Sequence, residues 1–314
     1  MTEAVPRMVV SFRIGKIPVE ILPSFFVIAV FLGLAGASGV DLAGVALWMI
    51  IVLVSVLVHE LGHASVGLVF GLAPRIRLHG MGGTTSWQPA PQLSSAKRIA
   101  ISLAGPAAGF VLAALVFALR RPLVEWLPGD LGRHVVEWLL WVNFGWGMLN
   151  LLPMLPLDGG NVVMQALNAV TRGRGERPAR LVSIACAAAA LLLTLRTELW
   201  WSAMLSGSFI ASNWRGLKDL SASEHDAPMR ASLERAYAAL DQKDGARILE
   251  IARPVALRSR TAPVRAEALQ LLAFGFLLEG RVADADSAIA AMPPGFSPHP
   301  SLTQLRHEVG TAAR

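Results

Sequence analysis

The sequence predicts an all-α polytopic membrane protein with about six transmembrane helices, a small β-hairpin or sheet at the membrane surface, and a C-terminal α-helical soluble domain. Three observations predict it. The 314 residues are 54% hydrophobic and only 16% charged, against about 25% charged in an average soluble domain. Apolar runs of roughly the 20 residues needed to cross a bilayer recur through the first two-thirds of the chain. Residues 217–314 then return to an ordinary soluble mixture of charges. This composition excludes a disordered chain and argues against an ordinary cytosolic enzyme. The single cysteine, Cys186, excludes an intramolecular disulfide framework and a multi-cysteine zinc ribbon or iron–sulfur site. A net charge of +6 in a soluble protein would point to nucleic acid. Here arginines flanking apolar spans account for it, so the expected partner is the lipid bilayer and no nucleic acid.

Six candidate spans lie at about 22–38, 43–70, 99–119, 136–155, 181–196 and 198–216. The fifth and sixth are short and separated only by Arg196, Thr197 and Glu198. A re-entrant pair fits them as well, which leaves four to six spans. With the N-terminus inside, the cytoplasmic segments collect Arg7, Arg13 and Lys16, then the basic residues around 75–98, then those of 172–180, then Arg215 and Lys218. The outer segments hold Arg120, Arg121, Arg133 and Arg196. The bias places both termini in the cytoplasm, as expected in a bacterial inner or plasma membrane. No cleavable signal peptide is expected, because the first apolar run begins near Ile21 without a small-residue cleavage site before a polar chain.

Residues 75–79 alternate polar and apolar, Gly80, Gly82 and Gly83 follow, and Thr84-Thr85-Ser86-Trp87 resumes an extended pattern. This reads as a β-hairpin at the membrane surface, with residues 8–14 as a further strand. The tail, 217–314, reads as a cytoplasmic domain with helices at 228–257, 263–278, 281–292 and about 298–309, punctuated by Gly280 and Pro293-Pro294. Leu269, Leu272, Ala273, Phe276, Gly280, Ala285 and Ile289 follow tetratricopeptide (TPR-like) spacing. A plain helical bundle is the alternative.

The second span contains His59-Glu60-Leu61-Gly62-His63. On a helix the two histidines lie one turn apart on one face, so their imidazoles converge on one metal ion. Glu60 beside them is placed to take a proton from metal-bound water. Ionisable side chains at membrane depth are costly and mark function by default. A catalytic zinc takes three protein ligands, so a third must come from elsewhere. Asp158 ends an apolar run broken by Pro153 and Pro156 and is followed by Gly159 and Gly160. It reads as the third ligand, as the N-cap of the next helix, or as both.

These residues carry a resemblance. His59-Glu60-Leu61-Gly62-His63 in an apolar helix, followed by Asn150-x-x-Pro153-x-x-Pro156-Leu157-Asp158-Gly159-Gly160, resembles the site-2 protease family of intramembrane zinc metalloproteases, peptidase family M50. Ala104-Gly105-Pro106-Ala107-Ala108-Gly109 is similar to its small-residue motif, with Gly109 where the family often has Asn. Phe12–Glu20 resembles the strand-then-helix start of one branch. The resemblance covers about residues 8–216 and leaves out the tail. Residues 71–98 are too short for the PDZ domain of another branch, and the tail has no CBS pattern.

The resemblance implies a zinc metalloendopeptidase acting on membrane-spanning substrates in regulated intramembrane proteolysis. One Zn2+ per chain would be held by His59, His63 and Asp158, with Glu60 catalytic and Asn150 near the substrate backbone or oxyanion. A membrane-anchored transcription regulator is the implied substrate class, and the tail suits a protein partner. The residues 75–88, including Thr84 and Thr85, are a candidate edge for pairing with an unwound substrate. Two rivals fit the same residues: a metal or ion transporter using the buried His and Asp residues, and a catalytically dead scaffold acting through the tail. His79 reads as structural, Cys186 as a packing residue, and His134 is given no role.

Overall fold

The computed structural model describes residues 9–35, 42–87, 92–194 and 200–312. The expectations at Arg7, Arg196, Thr197 and Glu198, and at the span ends 36–38, 195–196 and 198–199, lie outside the described residues. The chain divides into two compact units, Met1–Asn213 and Trp214–Arg314.

The first unit begins with strands β1 (Val10–Ile14) and β2 (Ile17–Ile21), joined by a turn in which Gly15 takes a φ of 57°. Strands β3 (Pro74–His79) and β4 (Gly82–Trp87) form the expected hairpin. All four make one sheet in the order β1-β2-β3-β4, with β2 and β3 parallel and the other pairs antiparallel. Strand β2 is an addition to the sequence reading. Ile17, Val19 and Ile21 are buried while Pro18 and Glu20 alternate with them, the period of a half-buried strand. The buried face, with Ile76 and Leu78, packs on Val56 and Ala64 of the second helix. On the other face Glu20 pairs with Arg77 at 2.9 Å, across the register that sets these two residues side by side.

Three helices among the described residues are long and apolar enough to cross a membrane. They are α2 (Leu42–Val69), α3 (Ser95–Ala118) and α8 (Glu176–Thr194). Helix α1 (Pro23–Ala35) is apolar but has 13 residues. A short α4 (Arg120–Trp126) follows α3. The expected fourth span is a composite: α5 (Leu131–Leu140), a π-helical turn (Trp141–Gly145) and α6 (Trp146–Asn150). The π turn carries Asn143 into the interior, where Nδ2 donates to Ser55 Oγ of α2 and to Leu139 O, each at 2.9 Å. Beyond it, α7 (Asp158–Val170) is a separate helix, and α9 (Trp200–Asp241) runs far past the expected end of the sixth span. The unit boundary falls within α9.

Helices α2 and α3 pack backbone to backbone. A Cβ on Gly62 would overlap the Ala104 carbonyl and the Ala108 side chain. Small residues at such crossings let two helices in lipid approach closely.

The second unit is helical, with α10 (Gly245–Arg258), α11 (Ala262–Leu278), α12 (Val282–Ala290) and α13 (Pro300–Ala312) after the end of α9. The single helix expected over 228–257 is two. Lys243 adopts a φ of 56°, and Asp244 caps α10 by accepting from Arg247 N at 2.9 Å. The core centres on α11, with Leu271 and Leu277 packed among Leu233, Ile248 and Leu302. Asp226 is wholly buried beneath the start of α11. Its carboxylate accepts from the amides of Arg260 and Thr261 and from the Thr261 hydroxyl.

Burial pushes the Asp226 carboxyl up, but the bonds from Thr261 and from the Arg260 amide outweigh it and hold it below the ordinary range. A carboxyl depressed below its unfolded value of about 3.9 stabilises the fold fully above that pH and loses the contribution as pH falls through its folded value. Asp226→Asn should therefore destabilise the start of α11 by about 1.5–3 kcal/mol near neutral pH. Hydrogen-exchange protection at Arg260 and Thr261 should fall below about pH 4 in the wild type and change little with pH in the variant.

Candidate metal centre

The i, i+4 spacing on α2 sets His59 and His63 side by side, with Nε2 atoms 3.1 Å apart. His63 Nδ1 bonds the Ile101 carbonyl of α3 at 2.7 Å. A carbonyl only accepts, so Nδ1 carries the proton and Nε2 presents its lone pair to the site. Asp158, first residue of α7, places Oδ2 3.1 Å from His59 Nε2 and 3.4 Å from His63 Nε2. It makes no capping bond, since Leu157 is the N-cap. A tetrahedral zinc with bonds of about 2.0–2.1 Å sets its ligand atoms about 3.3–3.4 Å apart. Two imidazoles and a carboxylate at these separations fit such an ion, and the Ile101 carbonyl supplies the outer partner that a ligating histidine requires.

Glycines make the approach possible. Gly105 of α3 lies directly under the two imidazoles, and a Cβ there would overlap both Nε2 atoms. Gly159 and Gly160 let the first turn of α7 lie against the backbone of Leu151–Leu155.

Glu60 is buried beside the histidines, and His59, Glu60 and His63 each offer a ligand atom within 4.8 Å of the others. Strand β4 covers it. The Thr85 hydroxyl donates to Glu60 Oε2 at 2.7 Å, and Gly83 sits so close that a Cβ would overlap the Glu60 carboxyl. Thr84 is engaged elsewhere, bonded through Oγ1 to His79 Nε2 at 2.9 Å. His79 Nδ1 accepts from Met81 N, so this histidine braces its own hairpin. Asn150, at the end of α6, is buried and lines the same cavity of about 910 Å³ as His59, Glu60, His63, Thr85 and Asp158. Cys186 packs against the apolar cluster of Met154, Ala187 and Phe209, and His134 stacks on Trp138.

The structure thus gathers every expected site residue around one cavity. The contact of Thr85 with Glu60 and the bond of Asn143 to Ser55 are additions. Their signal is present as isolated polar residues in apolar or strand segments, but no spacing rule names their partners.

Gly105→Ala is a test of the close approach. Alanine favours a helix over glycine by about 1 kcal/mol, so α3 itself should be unharmed. The added methyl group should displace the imidazoles and weaken zinc binding at least about tenfold, measured as zinc retained per chain after dialysis against a chelator.

Residues 130–195, which include Asp158 and α7, match the family described as Peptidase family M50. A Synechocystis protein assigned to the zinc metalloproteases is 31% identical over 183 residues, covering 53% of this chain and 46% of its own length. A zinc metalloprotease of Methanocaldococcus jannaschii is 27% identical over 159 residues, covering 50% of this chain and 44% of its own length. The solved site-2 protease from Methanocaldococcus jannaschii aligns at 22% identity with a TM-score of 0.48, over 67% of this chain and 95% of that one. The chain spans less than half the length of the curated relatives it matches. The matched segment and the likeness to these metalloproteases make peptidase family M50, the site-2 protease family, the family that this chain resembles.

Proposed function

We propose that the protein is an intramembrane zinc endopeptidase that hydrolyses peptide bonds of membrane-spanning substrates. The observation that carries this reading is the meeting of His59, His63 and Asp158 at ligand separations with Glu60 beside them, in one cavity bordered by a strand edge. Zinc on those three residues would supply a Lewis acid that polarises the scissile carbonyl and acidifies the attacking water. Glu60 would accept the proton from that water and pass it to the leaving amine. The Thr85 hydroxyl donates to Oε2 and so helps to hold the carboxylate beside the histidines. Asn150 offers an amide to the substrate backbone or to the developing oxyanion. The open side of β4 offers backbone partners to a locally unwound substrate, which needs them where no water is available.

On this reading the protein is integral to an inner or plasma membrane with both termini in the cytoplasm. It acts in regulated intramembrane proteolysis, with a membrane-anchored transcription regulator as the substrate class. The helical tail, with its TPR-like spacing, recruits a protein partner.

A transport site has no use for a carboxylate at the position of Glu60, so Glu60→Gln separates protease from transporter. The variant should keep one zinc per chain and lose cleavage of a reconstituted single-span substrate by about 10²–10⁴-fold. Asp158→Ala should lose both. Wild-type cleavage by Glu60→Gln would overturn the proposal.

Thr85→Val removes the hydroxyl that orients Glu60 and leaves the strand in place. It should slow turnover about tenfold, on the scale of one lost hydrogen bond to a charged group, at unchanged zinc content. Thr85→Ser should restore the rate, as single-turnover cleavage would report.

A further inference from the structure

The segment Leu151–Leu157 delivers Asp158 to the site yet has little hydrogen bonding of its own. Met154 N donates to Leu152 O and Leu157 N to Met154 O, while Pro153 and Pro156 have no N–H to give. Both backbone groups of the buried Leu155 between them are taken by side chains from other helices. Its N–H donates to Ser183 Oγ of α8 at 2.9 Å. Its carbonyl accepts from Asn213 Nδ2 of α9 at 2.7 Å.

Both side chains are committed to this task. Ser183 has no exposed surface, and its hydroxyl proton goes to Ala179 O at 2.7 Å, which leaves a lone pair for Leu155. Asn213 is 1% exposed, and its second amide hydrogen goes to Phe209 O at 2.9 Å. Both its partners are carbonyls, so a reversed amide would set oxygen against oxygen at both contacts. The orientation is therefore fixed by chemistry, and it leaves Oδ1 buried without a hydrogen-bond partner. An apolar side chain would avoid that cost. The amide is accounted for by the N–H it directs at Leu155.

The Leu155 peptide is in turn the surface on which α7 rests. Gly160 packs so closely on Leu155 N and Met154 that a Cβ would overlap them. The height of that peptide sets the height of the first turn of α7, where Asp158 sits.

We propose that Ser183 and Asn213 are positioning residues of the metal centre. By clamping the N–H and C=O of Leu155 they fix the seat of α7 and hence Asp158 Oδ2. Metal affinity then depends on α8 and α9, which supply none of the three ligand atoms. This inference rests on the reading of Asp158 as a ligand, and its test separates the two.

The full-length protein in detergent micelles is stripped of metal and titrated with zinc against a chromophoric chelator, well below its melting temperature. Ser183→Ala and Asn213→Ala should each raise the zinc dissociation constant about tenfold, the lower end for loss of an outer-sphere partner. Ser183→Thr, which keeps the hydroxyl, should return it towards wild type. A merely structural role lowers the melting temperature without changing zinc affinity of the folded protein. Should Asn213→Ala fail to fold, the Ser183→Ala and Ser183→Thr pair decides alone. Wild-type affinity in the folded alanine variants, with zinc lost from Asp158→Ala, overturns the positioning role and leaves the ligand set standing. Wild-type affinity in Asp158→Ala overturns the ligand assignment itself and the inference with it.

Discussion

Two imidazoles and a carboxylate held within 3.4 Å of one another among apolar helices set the terms for the rest of the membrane unit. Bringing such groups out of water is expensive, and they persist at membrane depth when they bind something or one another. Three groups packed around them serve their approach. Gly105 removes the side chain that would part the histidines, Gly62 draws α2 onto α3, and the Ile101 carbonyl fixes the His63 ring. The sheet on the other side of α2 is fastened by Ile76 and Leu78, so the strand over Glu60 is held by the same core as the helix beneath it.

The meeting of His59 and His63, with Glu60 beside them, is legible in the sequence because helical periodicity alone brings residues 59 and 63 together. Asp158 was legible for another reason: a carboxylate that closes an apolar, proline-broken run is costly there unless its charge is matched. The hairpin of β3 and β4 showed through its alternation and its glycines. Strand β2 did not, because a proline within so short a run, Pro18, argues against a strand despite the alternation of Ile17, Val19 and Ile21. The break at Lys243 was hidden for a similar reason. Gln242 and Lys243 are ordinary helix residues, and only the left-handed φ at Lys243 and the capping bond of Asp244 show that the helix ends there.

Ser183 and Asn213 mark a deeper limit on sequence reading. Their partner is the backbone of Leu155, far away in sequence. A peptide group looks the same at every residue, so no residue pattern can announce such a bond. Asn143 is hidden for a different reason: its bond to the Ser55 hydroxyl depends on a π-helical turn that shifts the helix face. What the sequence does disclose is a short roll of lone polar residues inside apolar helices. In a medium where each must find a partner, those residues are where tertiary structure is decided.

On the proposed reading the hairpin does two things at once. Strand β4 holds Glu60 through Thr85 and, as the last strand of the sheet among the described residues, would offer the edge on which an unwound substrate pairs. A base and a substrate carried by separate mobile elements would have to be aligned anew for each turnover, at a cost in orientation entropy. Here one strand, pinned by β3 to α2, fixes both relative to the same helix that bears the histidines. A substrate added to that edge in register places its successive peptide groups at strand spacing, about 3.3–3.4 Å per residue. The carbonyl to be cut is then selected by register against β4. Substrate choice would accordingly turn on how readily a segment unwinds and pairs, as well as on which side chains enter the cavity.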